Sequence, residues 1–289
     1  MQNIFSAFLN RVSIKMTRFF LSNYLMAALL AMLANGLFAA TSLQEAEYEN
    51  LFRKQVQSAE IIDLKSAQGD FVGIFRESSL ATTQGGVLII HDLKQNADSP
   101  RVISPLAEML ATHGWATLSL QMPVPTLDDA QSALVQLDRL FPDLSQQGIS
   151  RIQSGIDHFL SRNIENISIA AFGAGAKYAA VMMASPQGEK LVNLVAVNLD
   201  SAHPPEILQS LEKLQVPVLD IYGSKALKPV IDTSKERSTA VINKAGNSNY
   251  RQIEIEGADH QFTGLENALI SRIRAWLGKH SPGMTVIQR

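Results

Sequence analysis

The sequence predicts a mostly parallel, doubly wound α/β sheet with helices on both faces, and three observations carry that expectation. Apolar runs of strand length alternate with helical stripes about every 25 residues. The run Gly86-Val87-Leu88-Ile89-Ile90 is continuously apolar rather than alternating, as a strand buried on both faces would be. At Ile167–Ala180 a third apolar run meets a cluster of very small residues, Gly173-Ala174-Gly175-Ala176, and passes into an Ala- and Met-rich helical segment. That is a strand, a sharp turn and a helix.

The elements follow in order. Residues 41–57 are a polar lead-in with scattered Leu and Phe, room for a short helix. Ser58–Leu64 and Phe71–Phe75 read as a hairpin around Gln68-Gly69-Asp70. Ser78–Gln84 is loop and Gly86–Asp92 a strand. Arg101–Thr112 carries apolar residues at 103, 106, 107 and 110, a helical spacing ended by His113-Gly114. Trp115–Leu120 is the next strand, and Leu127–Leu144 an irregular, partly helical connection. Arg151–Leu160 is a sheet-packing helix that feeds the strand at 167. Beyond the turn come Leu191–Leu199 (strand), Glu206–Leu214 (helix), Val216–Gly223 (strand), Tyr250–Glu256 (strand) and Leu265–Leu277 (helix). The short gap between the 191 and 216 strands leaves no room for a large cap domain there.

Composition narrows the function classes. With 289 residues and 46% hydrophobic content the chain can bury one large core. It has no cysteine, which removes disulfides, thiolate nucleophiles, thiolate metal sites and a lipidated amino terminus. Residues 1–40 hold Arg11, Lys15 and Arg18, no acidic residue, and the apolar run Leu25–Ala34 before small residues at Ala34–Gly36 and Ala39-Ala40. This is the layout of a secretory signal, whether translation starts at Met1 or Met16. The expectation is export to a periplasm; an uncleaved inner-membrane anchor formed by residues 19–40 is the alternative. Cleavage leaves 22 basic against 27 acidic residues, a net charge of −5. Nothing basic and aromatic-rich remains for a nucleic acid to recognise. The membrane is a partner only through the leader if it stays attached.

Four motifs, in this order, give the fold a closer relative. Ala171-Phe172-Gly173-Ala174-Gly175 overlies the G-x-S-x-G nucleophile elbow, with Gly173 in the serine's place. Leu88-Ile89-Ile90-His91-Asp92 resembles the strand ending in His-Gly, Val216–Gly223 the strand that delivers a triad acid, and Gly257-Ala258-Asp259-His260-Gln261-Phe262 the loop of the triad histidine. From about residue 58 to 279 the chain resembles the α/β-hydrolases. With His113-Gly114-Trp115-Ala116-Thr117-Leu118-Ser119-Leu120-Gln121-Met122-Pro123 it further resembles an uncharacterised bacterial family of exported α/β-hydrolase-like proteins of unknown function, whose members tend to carry glycine at the nucleophile position. The resemblance implies a domain at 58–289, an α/β-hydrolase fold, and an oxyanion hole from the backbone N–H groups of Ala174 and Leu93.

The departures from an active hydrolase concern the chemistry itself. Gly173 has no hydroxyl, Ala226 stands where Gly-x-x-Asp would place the acid, and Asp92 replaces the glycine of His-Gly. A turn residue at positive φ costs glycine almost nothing, so Gly173 eases the turn while deleting the nucleophile. An ordinary glycine-rich turn between strand and helix would have the same local sequence. The leading expectation is a catalytically degenerate hydrolase fold that acts by binding a small molecule or a protein. The alternative is a hydrolase of ester-like bonds in which His260, oriented by Asp200, activates water or Ser201. His91, Asp92, His203 and Asp259 also fall at strand carboxyl ends, where such sheets bind ligands, and are expected to line the cleft. Each also has a structural role open to it: Asp200 and Ser201 as a helix cap, His91 as a loop brace, Asp259 as an exposed loop residue. No short, fixed ligand spacing supports a metal, and no cofactor motif is present.

Overall fold

The computed structural model describes residues 43–125, 133–281 and 286–287. The leader at 1–40, and with it the choice between signal and anchor, lies outside these residues, as does the segment 126–132. Among the described residues no helix is long and apolar enough to cross a membrane.

Helix α1 (Leu43–Gln55) precedes the hairpin β1 (Glu60–Ser66) and β2 (Gly69–Arg76). Then come β3 (Thr82–Thr83), β4 (Gly85–Ile90), α2 (Ile103–Thr112), β5 (Trp115–Leu120), α3 (Ala133–Ser161), β6 (Ile167–Phe172) and α4 (Ala174–Met183). The carboxyl-terminal half adds β7 (Leu191–Val197), α5 (Glu206–Leu211), β8 (Val218–Lys225), α6 (Lys228–Asp232), α7 (Ser234–Thr239), β9 (Tyr250–Asp259), α8 (Glu266–His280) and β10 (Val286–Ile287). Eight strands form one sheet in the order β1-β2-β5-β4-β6-β7-β8-β9, antiparallel at β1-β2-β5 and parallel from β5 to β9. The two-residue β3 pairs with β10, where the sequence reads only as loop.

Central strands β4, β5 and β6 are buried at every position, the continuous apolar run of β4 and also Thr117, Ser119 and Ser168 of its two neighbours. One face packs Leu88, Ile90 and Ala171 with Ile152, Ile156 and Phe159 of α3 and Tyr178 of α4. The other packs Val87, Ile89 and Val195 with Leu106 and Leu110 of α2 and Ile273 of α8. The expected irregular connection at 127–144 differs from what forms. From Ala133 the chain is one helix that runs through Pro142 to Ser161. Proline removes a helical N–H, but Phe141 and Leu144 are buried in line with Ile152, Ile156 and Phe159, and that apolar face holds the helix together. Phe141 stacks on Tyr178 with ring centroids 5.8 Å apart. Helix α1 is drawn in by Glu45, buried and paired with Arg151 at 2.8 Å, and by Phe52, buried beside Val72 and Ile74.

Two buried polar clusters tie neighbouring strands together. Asp220 of β8 accepts from Arg237 Nε at 2.7 Å, from the Tyr250 hydroxyl and from Gln252, which ties β8, β9 and α7 together. His91, at the end of β4, accepts the Met122 N–H at Nε2 (2.9 Å), so its Nδ1 carries the proton donated to the Asp92 carbonyl (2.7 Å). The ring therefore bridges the ends of β4 and β5. Burial lowers its pKa to about 4, despite the opposing pull of the Asp92 carbonyl and charge. In the unfolded chain the ordinary value near 6.5 returns. Between those values the unfolded state binds the extra proton, so stability falls as pH falls, at up to about 1.4 kcal/mol per pH unit from this group. Urea unfolding between pH 7 and 4.5 should show that loss, and His91→Gln should flatten the slope while lowering stability at pH 7.

Candidate active site

The site lies at the carboxyl ends of β4, β6, β7 and β9, where a doubly wound sheet opens toward ligands. Strand β6 stops at Phe172, and Gly173 takes φ 52°, ψ −118° before α4 begins at Ala174. This is the strained elbow that the sequence predicts, held without strain because the residue has no Cβ. Gly175, the second residue of α4, lets that helix approach β4: a Cβ there would sit 2.6 Å from the His91 carbonyl oxygen.

The serine's absent side chain is replaced in space by Asp92. A Cβ built on Gly173 would overlap the Asp92 carboxylate at its carbon and both oxygens. Asp92 Oδ1 accepts the N–H of Leu93 at 2.8 Å and the N–H of Ala174 at 2.9 Å. These are the two donors expected to form the oxyanion hole, and they face the protein's own carboxylate. Asp92 Oδ2 lies 3.2 Å from His260 Nε2. Burial pushes this carboxyl up, but the His260 hydrogen bond, the Ala174 N–H, the His260 charge and the Leu93 N–H together hold it below the ordinary range. The helix N-terminus behind Ala174 favours the same charged form.

His260 reaches this position through Asn198, which the sequence analysis did not single out. Asn198 ends β7 at φ 51°, donates from Nδ2 to the His260 carbonyl at 2.7 Å and accepts the Gly223 N–H at Oδ1 (3.1 Å). One amide thus pins the histidine loop to the ends of β7 and β8. Its only sequence signal is a polar residue in the apolar run Leu194–Leu199, with the left-handed tolerance typical of asparagine. His260 Nδ1, the atom a triad acid would meet, is buried with no partner among the described residues. Ala226 indeed supplies none.

The other candidates are placed elsewhere. Asp200 does not orient His260, because Lys177 Nζ takes its carboxylate at 2.8 Å and also donates to the His203 carbonyl at 2.7 Å. Nor do Asp200 and Ser201 cap a helix: Asp200 Oδ1 accepts the Ala202 N–H within its own loop, and α5 starts after Pro205. Ser201 is buried, its hydroxyl without a partner among the described residues, and His203 is exposed; neither lines the Asp92–His260 cavity. Asp259 Oδ1 accepts the N–H groups of Gln261 and Thr263, shaping the loop, and the Thr263 N–H is the main reason its pKa is lowered. His91 braces β4 and β5 rather than facing ligand space. Among the described residues no group of histidine and carboxylate side chains is arranged to hold a metal. The remaining cavity is about 60 Å³, bounded by Asp92, Gly173, His260, Lys94, Phe172 and Phe262 among others.

Solved structures similar to this one include α/β hydrolases and esterases. Dienelactone hydrolase from Anabaena variabilis superposes with a TM-score of 0.60 at 18% identity, covering 78% of this chain and 100% of that one. XC6422 from Xanthomonas campestris, described as an α/β serine hydrolase without lid, gives 0.59 at 11%, covering 79% and 97%. Est1E from Butyrivibrio proteoclasticus gives 0.60 at 12%, covering 76% and 98%. At these identities the likeness establishes the α/β-hydrolase fold and nothing finer. No curated protein matches the sequence significantly. A family model does, over residues 31–136 and 140–279, and the chain belongs to that family, described as "Protein of unknown function (DUF3530)".

Proposed function

We propose that this is an exported α/β-hydrolase-fold protein that has lost serine-dependent acyl transfer and works by binding a small molecule beside the Asp92–His260 pair. Export rests on the basic-then-apolar leader of residues 1–40. The loss of acyl transfer rests on one observation: Asp92 Oδ1 holds both oxyanion donors, Leu93 N–H and Ala174 N–H. Acyl transfer depends on those donors meeting the charge that develops on a substrate carbonyl oxygen, and one donor alone is commonly worth about 10²–10³ in rate. With the donors taken, Gly173 lacking a hydroxyl and His260 Nδ1 lacking an acid, each part of serine chemistry is missing separately. Binding is supported by what remains. A cavity of about 60 Å³ has room for roughly four or five water-sized groups. It presents a carboxylate, an imidazole and the exposed cation of Lys94 against the apolar walls of Phe172 and Phe262. Such a mixture fits a small polar ligand better than a chain-like ester.

Hydrolysis of a panel of short- and long-chain chromogenic esters should show no turnover above that of His260→Ala. Turnover that disappears in the variant would show that acyl transfer survives. Gly173→Ser should not create an esterase. The added Cβ and the Asp92 carboxylate claim the same volume at a positive-φ position, so the variant should lose about 1–3 kcal/mol from backbone strain alone, plus the cost of displacing Asp92. Thermal unfolding reads the first effect, and the same esters read the second.

A further inference from the structure

Away from the Asp92–His260 cavity, a groove of about 310 Å³ runs between the edge strand β9 and helix α8, and we propose that it binds a small phosphate monoester with an apolar organic part. Two periodicities build it. Arg251 and Ile253 fall on one face of β9, and Arg272, Ala275, Trp276 and Lys279 are spaced i, i+3, i+4 and i+7 along one face of α8. The short side chain of Ala275, between Arg272 and Lys279, leaves a recess in that helix face. Leu219 and Arg251 are each second in their strands, β8 and β9, so the groove lies at the amino ends of parallel strands whose carboxyl ends carry the other site. Its volume is at the lower end of the range for small-molecule pockets, about 300–1,000 Å³.

The groove gathers positive charge without neutralising it. Arg251, Arg272 and Lys279 line it, and among the described residues no carboxylate does, nor does any lie within ion-pair distance of the three. Arg53, Arg151, Arg162 and Arg237, by contrast, each hold a carboxylate. Arg272 Nη1 donates only to the Ala268 carbonyl one turn back, at 3.2 Å. The aromatic wall is fixed: Trp276 Nε1 donates to Asn193 of β7 at 2.9 Å, and the indole stacks on His280 with centroids 3.7 Å apart. Desolvation and the Lys279 charge lower the His280 pKa, so this ring is neutral near pH 7 and the three cations alone face an anion.

Three cations suit a dianion. A phosphate monoester carries about −1.5 to −2 near pH 7, and its oxygens match the paired N–H groups of a guanidinium fork. Leu219, Ile253 and Trp276 give the organic part an apolar surface to cover. An anionic membrane fits less well. The chain carries 27 acidic against 25 basic residues, and Glu254 and Glu256 are exposed on the same edge strand. Charges act over about 8 Å at about 0.15 M salt, so a small ligand meets the three cations while an extended surface also meets the acids around them.

Phenyl phosphate titrated into the full chain should change tryptophan fluorescence saturably below millimolar concentration. The change should vanish in Trp276→Phe, because the other tryptophan, Trp115, is buried in the core. By calorimetry, Arg251→Gln and Arg272→Gln should each weaken binding about fivefold or more, the scale of a charge-assisted contact at an exposed site. Lys65→Gln, on the opposite edge strand β1, should leave it unchanged. All three side chains are exposed, so thermal unfolding should not move. Inorganic phosphate and benzoate, each lacking one half of the ligand, should bind more weakly. No saturable binding at millimolar phenyl phosphate, an equal loss in Lys65→Gln, or benzoate binding as tightly overturns the proposal. Sedimentation with phosphatidylglycerol vesicles that needs Arg251 and Arg272, without phenyl phosphate binding, would overturn it too and make the groove a membrane contact.

Discussion

The carboxylate of Asp92, seated on the N–H groups of Leu93 and Ala174, is the constraint around which the site is arranged. It explains why residue 173 has no side chain, since there is no volume left for one. It also explains how a buried carboxylate stays charged. Two N–H donors, the positive end of a helix and an imidazole 3.2 Å away offset the cost of removing it from water. In a serine hydrolase those donors wait for a charge that appears during reaction; here the charge is permanent and belongs to the protein.

The surrounding framework holds that carboxylate in place. His91 locks the end of β4 to the chain leaving β5, which sets where Asp92 begins. Gly175 lets α4 close on β4 so that the Ala174 N–H reaches Oδ1. Asn198 fixes the histidine loop from below, and the Asp220–Arg237 cluster ties the start of β9 to β8 and α7. The polar residues buried around the cleft are therefore mostly used to position backbone, while Asp92, His260 and the Lys94 cation line the cavity.

Glycine at 173 and aspartate at 92 are thus sterically coupled. A serine at 173 with Asp92 in place would clash with its carboxylate. Removing Asp92 alone would leave an empty anion site at the start of α4. Lys177 holds Asp200 and the His203 carbonyl, so the Asp200 carboxylate faces this cation and not His260.

The sequence by itself determined the sheet, its central strands and the elbow. Continuous apolar runs, helical stripes and a glycine at a positive-φ turn are local signals that read the same in isolation as in the fold. It also determined what is absent, a serine at 173 and an acid at 226. It did not reveal that α3 runs through Pro142, because that depends on Phe141 and Leu144 finding a buried face far along the chain. Nor could it reveal that Asp92 stands in for the serine, that Asn198 holds the histidine loop, or that Asp200 turns to Lys177. Asp92 and Gly173 are 81 positions apart in the chain, and Asp92 and His260 168. Only the parallel register of β4 against β6, and the packing of α4 over both, brings a carboxylate, two backbone donors and an imidazole within hydrogen-bonding distance.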